Sequence, residues 1–363
     1  MRPLPPPELA APEPAAQVPA EVAEVTVIGA GLAGSLLALE LAQLGLGVVL
    51  LDGPAAAQPP QQACASHWSY GAIAPRAGGP WAQLQHRHGD LGWRRRWFRP
   101  LGPGAPLGGW LPLPCSRVEA PLLQQRLPLA LQRSGVQRRG LRVERLRPPG
   151  VSGEPWQLQL SGAAQPWLTR QVVLAAGAGC RSLWPALPEV LRLSWAGVLL
   201  LQPQAAGWPW GGPAALRLPA RFSRVALEAR AAELRQEDWA VDPALVPWGD
   251  RWLAGQISLV RPGLAMGDPP DPALQERRLR QALAPWLPSL AHWPAAFQQV
   301  PVSFCSTGQP LAGPVPGAPP GLWAFAGFSA AFAAVPRLAP ELARAVQAAA
   351  SQGPAARGPA ARG

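Results

Sequence analysis

Residues 25–52 carry the pattern that most restricts what this chain can fold into. Val25-Thr26-Val27-Ile28 is a short apolar, β-branched run suited to a strand buried on both faces. It leads into Gly29-Ala30-Gly31-Leu32-Ala33-Gly34, a G-x-G-x-x-G array. Gly29 permits a tight turn, Gly31 lets the backbone approach a pyrophosphate, and Gly34 lets a helix pack closely on the strand. Ala33, Leu37, Leu41 and Leu44 then share one helical face, leaving Glu40 and Gln43 to face water. Gly45 and Gly47 bracket the exit, and Val48-Val49-Leu50-Leu51 is a second apolar strand ending in Asp52. A carboxylate roughly twenty residues past the glycines accepts the hydroxyls of an adenosine ribose and disfavours a 2′-phosphate. Strand, glycines, helix and acid together predict a dinucleotide-binding unit. The rival reading is a membrane span, because the stretch to Leu51 carries one charge, Glu40, and is long enough to cross a bilayer. Its five glycines, the central Glu40 and the lack of a basic N-terminal flank argue against that.

The 363 residues can bury a large core, as two domains or one elaborated domain. Neither Lys nor Asn occurs, and 17 Trp stand against one Tyr. With so much Pro, Ala, Gly and Arg, the pattern resembles a bias toward GC-rich codons, which weakens any functional message in the net charge of +11. The absences exclude a Schiff-base lysine, a phosphate-loop lysine and N-glycosylation, and a catalytic tyrosine can only be Tyr70. Cys64, Cys115, Cys180 and Cys305 are widely spaced, with no C-x-x-C pair, which predicts neither a zinc site nor a disulfide framework and fits a cytoplasmic setting. Residues 1–20 read as a disordered Pro/Ala-rich lead-in without signal-peptide features, and residues 351–363 as a disordered tail.

The segment Ala65-Ser66-His67-Trp68-Ser69-Tyr70-Gly71-Ala72-Ile73-Ala74-Pro75 interleaves small and aromatic residues without a period, as a ligand-facing loop or an irregular surface loop would. It resembles the A-S-x-x-x-x-G-x-I/L-x-P segment of the D-amino-acid oxidase/glycine oxidase (DAO) family of FAD-dependent oxidoreductases. Later segments extend the resemblance. Val172-Val173-Leu174-Ala175-Ala176-Gly177-Ala178 is similar to the family's V-V-x-A-x-G-A, and the run from Pro310 through Gly327-Phe328 to Leu338 is similar to its closing P-x-x-G-P … G-F … P-x-L-A. The resemblance implies an α/β fold: a Rossmann-like, glutathione-reductase-like FAD-binding domain with an inserted antiparallel-sheet substrate domain. The boundaries so implied are 21–80, 115–190 and 305–350 for the first, and 81–114 and 191–304 for the second. It implies that FAD is held by Gly29, Ala30, Gly31, Gly34, Asp52, Ser66, His67, Gly71, Ala72, Ile73, Val143, Ala176, Gly177, Gly327, Phe328, Ser329 and Ala330. Val143 is expected near adenine, Gly177 near the pyrophosphate, and the Gly327 turn at the flavin's pyrimidine end.

The implied activity is oxidation of a small amine or amino-acid-like substrate, with hydride passing to flavin and O2 or another acceptor reoxidising it. The family's substrate arginine precedes the proline of a D-G-x-P motif. Here Ser303 takes that arginine's place ahead of Pro310, and the motif's acid falls on Gly308. Serine cannot supply a bidentate charged clamp, so an unmodified α-amino acid is disfavoured. His67, Tyr70, Arg261 and Ser303 are the pocket candidates. Cys305 is either a covalent flavin link, as in sarcosine-oxidase-like relatives, or a small buried thiol. Two alternatives remain: modification of an amine on tRNA, and a degenerate flavoprotein without catalysis.

The remaining pattern is coarser. Residues 81–99 read as a helix joining Trp81, Trp93, Trp97 and Phe98 to Arg94, Arg95, Arg96 and Arg99, either a solvated arginine face or a nucleic-acid surface. A helix over 118–133 is interrupted at Pro128. Strands are predicted around Val143–Leu146, Trp156–Leu160, Leu191–Leu201, Val225–Glu228, Trp252–Val260 and Leu322–Ala326. Asp271 and Pro272 open a helix carrying Leu279, Leu283 and Trp286, and a last helix starts near Arg337.

Overall fold

The computed structural model describes residues 22–53, 64–105, 109–151, 153–203 and 216–351. The expected lead-in and nearly all of the expected tail lie outside these residues; Ser351 closes the last helix. In chain order the elements are β1 (Ala23–Ile28), α1 (Leu32–Gln43), β2 (Val48–Leu51), β3 (Ala72–Ile73), α2 (Gly79–His88), β4 (Trp93–Leu101), β5 (Leu113–Val118), α3 (Ala120–Arg133), β6 (Gln137–Arg139), β7 (Val143–Arg147), β8 (Trp156–Leu160) and β9 (Trp167–Leu174). They continue with α4 (Cys180–Leu183), β10 (Leu191–Leu201), β11 (Leu216–Pro219), α5 (Ser223–Ala229), β12 (Asp238–Trp248), β13 (Arg251–Val260), α6 (Pro272–Leu283), β14 (Ala295–Cys305), β15 (Leu311–Pro314), β16 (Leu322–Ala326) and α7 (Ala331–Ser351).

Two sheets organise these elements. The first has the order β15-β16-β9-β1-β2-β6, with β8 beside β9 and β7 beside β8. Its centre is parallel: β1 pairs with β2 and β9, and β9 with β16. The strands of this centre are buried along most of their length, which is why they read as unbroken apolar runs. On one side, α1 and α7 pack against them through Leu36, Leu37, Val335, Ala339, Leu342 and Val346. The stretch considered as a membrane span is thus β1, α1 and β2 of this sheet. Among the described residues no helix is long and apolar enough to cross a membrane.

The second sheet runs β14-β10-β13-β12-β11-β4-β5-β3, antiparallel except for β11 beside β4. β10 and β14 pair along their whole length, from Leu191 opposite Cys305 to Leu201 opposite Ala295. α6 covers one face through Leu279 and Leu283. The opposite face buries Ala196, Val198, Leu200, Val246, Leu253 and Val300 with Trp68 and Tyr70. β3 and β5, placed with the cofactor domain by the expected boundaries, hydrogen-bond into this second sheet.

Several local expectations are corrected. Residues 93–101 form β4 rather than the end of a helix, because the backbone from Trp93 to Phe98 pairs antiparallel with β5 from Val118 to Leu113. Residues 225–228 lie in α5, not in a strand. Arg224 pairs with Glu228 one turn later, and Asp242 Oδ1 from β12 accepts the Ser223 N–H at 2.6 Å, capping the helix from outside its own sequence. α3 runs through Pro128 without ending, and α7 starts at Ala331, ahead of Pro336 and Pro340. Glu40 does not face water: it is buried and paired with Arg87 at 2.6 Å. Trp286 lies beyond α6 and is 41% exposed.

Candidate functional site

The glycine array performs the local work its spacing requires. Gly29 has φ of +105°, and a Cβ there would lie 2.6 Å from the Ala175 carbonyl oxygen. A Cβ on Gly34 would overlap the Gly29 carbonyl oxygen, so only glycine lets α1 approach β1 this closely. Gly31 is the N-cap of α1 and brings no capping side chain, which leaves the helix's first N–H groups without a side-chain cap among the described residues. Asp52, at the end of β2, accepts the Ala30 N–H at 3.3 Å, and Arg138 stands 3.8 Å from its other oxygen.

These elements open onto a cavity of about 800 Å³, inside the roughly 300–1,000 Å³ of small-ligand sites. Gly29, Ala30, Gly31, Asp52, Ser66 and Val143 line it, together with Arg142 and Glu144. The β9 turn contributes Ala176 and Gly177, and no atom lies within 4 Å of a Cβ built on Gly177. Gly327, Phe328 and Ala331 bring in the turn from β16 into α7, and Met266, Pro301, Val302 and Ser303 bring in the second sheet. The three glycine turns expected at one ligand do converge.

Other expected residues lie elsewhere. Gly71, Ala72 and Ile73 sit at β3, paired with β5, and line neither this cavity nor its neighbour of about 520 Å³. His67 lines that neighbour, beside Gln124 and Leu127 of α3. It packs edge-on against Trp68 and Trp248, and burial lowers its pKa, with a hydrogen bond to Gln124 opposing the shift. Tyr70 is buried, donates to the Asp242 carbonyl at 3.0 Å, and has its phenol pKa pushed well up by burial and by Asp242. Arg261 faces Glu237 and the Asp268 carbonyl and does not line the cavity. Ser329 and Ala330 stand just behind the lining, with the Ser329 carbonyl accepting from Arg224. Cys305 is buried behind Gly327, outside the lining, and burial pushes its thiol pKa up. Its N–H donates to the Gly327 carbonyl at 3.0 Å, tying β14 to the turn.

Uncapped helix N–H groups, a half-exposed carboxylate and two glycine turns open to one cavity fit a dinucleotide: the α1 N-terminus for its pyrophosphate, Asp52 for its ribose. A sequence model described as FAD dependent oxidoreductase (DAO) matches residues 24–166. Over those residues the chain resembles the DAO family. That match supports FAD as the cofactor and flavin-dependent oxidoreduction as the activity. Solved structures share the fold over about nine-tenths of the chain. Iminodiacetate oxidase (IdaA) from Chelativorans sp. BNC1 is 18% identical with a TM-score of 0.64, covering 90% of this chain and 95% of that one. Glycine oxidase from Bacillus cereus ATCC 14579 is 15% identical with a TM-score of 0.63, covering 90% and 98%. L-α-glycerophosphate oxidase from Mycoplasma pneumoniae, solved with FAD bound, is 12% identical with a TM-score of 0.62, covering 91% and 95%. A search of curated protein sequences finds no match.

Met266, Pro301, Val302 and Arg224 went unnoticed as site residues in the sequence. Nothing in their local pattern marks them: β14 brings Pro301 and Val302 to the cavity, the loop after β13 brings Met266, and α5 sets Arg224 against the Ser329 carbonyl.

Proposed function

We propose that the chain oxidises a small amine at the C–H bond next to its nitrogen. The observation that carries this reading is that one cavity joins the three glycine turns to the second-sheet residues Pro301–Ser303 and Met266. FAD, when bound, supplies the two-electron acceptor, and O2 or another acceptor restores it. The N–H groups at the start of α1 hold its pyrophosphate, and Asp52 holds its ribose. Gly327, Phe328 and the N-terminus of α7 face the end of the cavity where negative charge develops. Pro301, Val302, Met266 and Phe328 wall off water from the reacting carbon. Among the similar structures, iminodiacetate oxidase and glycine oxidase are named for amine-bearing substrates, and glycerophosphate oxidase for a hydroxylic one.

We read the first sheet as a discontinuous, glutathione-reductase-like FAD domain over 21–80, 115–190 and 305–350, and 81–114 with 191–304 as the substrate domain, β3 and β5 crossing between them. The four unbridged cysteines support a cytoplasmic setting. The test is anaerobic mixing of the FAD-loaded protein with amines, amino acids and hydroxy acids. Bleaching of the flavin band by an amine supports the reading, and bleaching by hydroxy acids alone removes it.

A second reading, an amine carried on tRNA, is favoured by one surface. Trp97, 61% exposed, stands on β4 between Arg95 and Arg99, and Arg99 is in register with Arg217 of β11. These three arginines have no carboxylate partner among the described residues, as a phosphate-binding stripe requires. Retention of tRNA that falls steeply between low and moderate salt supports this reading, and no retention at low salt removes it.

A further inference from the structure

Resting on the amine-oxidising reading above, we infer that the site takes amines that carry no carboxylate and whose substituents are apolar. Beyond the Gly327 turn the cavity is walled by Met266, Pro301, Val302 and Phe328, with Ser303 as the polar side chain among them. A carboxylate buried there needs a cationic partner to offset its lost hydration.

The guanidinium best placed to serve is committed elsewhere. Arg224 approaches from behind the turn and donates to the Ser329 carbonyl at 3.0 Å. It also pairs with Glu228 at 2.9 Å and stands 3.7 Å from Asp242 Oδ2. Both acids are buried, and Glu228 Oε2 and Asp242 Oδ2 lack hydrogen-bond partners among the described residues. One guanidinium thus stands between two carboxylates, so the cluster behind the site has no surplus positive charge to offer a third.

Arg261 is held by Glu237 and the Asp268 carbonyl. Arg142 lines the cavity near Val143, at the end assigned to the cofactor's adenosine, and Glu144 lines it there too. The sheet face behind Val302 is an apolar layer of Ala196, Val198, Val246 and Val300. An amine with hydrocarbon arms meets matching surface along Met266, Pro301, Val302 and Phe328.

The test compares 2-phenylethylamine with phenylalanine, one skeleton without and with the carboxylate. Binding to the FAD-loaded protein is read anaerobically by calorimetry and by quenching of tryptophan emission. The amine is expected to bind at least about tenfold more tightly than the amino acid. Ser303→Arg restores a guanidinium at the wall and is expected to reverse the preference; Ser303→Lys serves if the arginine variant fails to retain FAD. Equal or tighter binding of phenylalanine to the unmodified protein overturns the inference, as does absence of amine binding at millimolar concentration. Flavin bleaching separates the two levels of argument. Bleaching by phenylalanine without amine binding leaves amine oxidation standing and removes only the substrate class. Bleaching confined to hydroxy acids removes both.

Discussion

Arg224 donates from Nη1 to the carbonyl of Ser329 across 3.0 Å, and so fastens α5 of the second sheet to the turn that closes the cofactor cavity. The same guanidinium neutralises Glu228, whose side chain is 3% exposed. Replacing it with a neutral group strands two buried acids. Arg224→Gln should therefore lose about 3–5 kcal/mol of stability, together with retention of FAD. Urea unfolding and the ratio of bound flavin to protein would check this; a variant with an unshifted midpoint refutes the assignment.

Asp52 is expected to hold the cofactor's ribose by charge-assisted hydrogen bonds of about 1.5–3 kcal/mol in total. Asp52→Ala should weaken FAD binding by roughly 10–150-fold while the fold persists. Titrating the deflavinated protein with FAD measures the ratio directly.

Two glycines in helical settings should respond in opposite directions to alanine. Gly34→Ala forces a methyl into the Gly29 carbonyl, costing about 1–3 kcal/mol and yielding a colourless protein. At Gly79 the backbone is already α-helical, with φ of −56°, and nothing lies within 4 Å of a new Cβ. Gly79→Ala should raise stability by about 0.4–1 kcal/mol, read as a higher midpoint in the same unfolding assay.

His67 and His88 have pKa values lowered in the folded chain, both chiefly by burial. The unfolded chain then binds more protons between the folded values and the ordinary value of 6.5. Their contribution is complete above that ordinary value and is lost as pH falls through the folded values. Melting temperature should drop as pH falls from about 7.5 to about 5, and His67→Gln should flatten that slope. An identical slope in the variant excludes His67 as its source.

The first fold unit was legible because each requirement was local: apolar runs, glycine spacing and one acid in a single stretch. β12 was not. Pro243 and Pro247 interrupt its pattern, yet Asp238 to Trp248 pairs along β13. α5 was hidden for another reason, since its capping acid, Asp242, arrives from that same strand. Arg224 could not be told apart among 32 basic residues, all of them arginine. Its identity as a tether depends on partners at Glu228, Asp242 and Ser329, two of which are distant in the chain. Ser303 was visible because a motif position named it, whereas Met266, which shares its cavity, belonged to no motif.

The Cys305 N–H to Gly327 carbonyl bond splices the longest strand pair of one sheet into the turn that ends the other. A clamshell motion, with one half swinging on a hinge, would have to break that splice at every turnover. Substrate entry and product departure then fall to individual side chains at the mouth, and turnover should be insensitive to solvent viscosity.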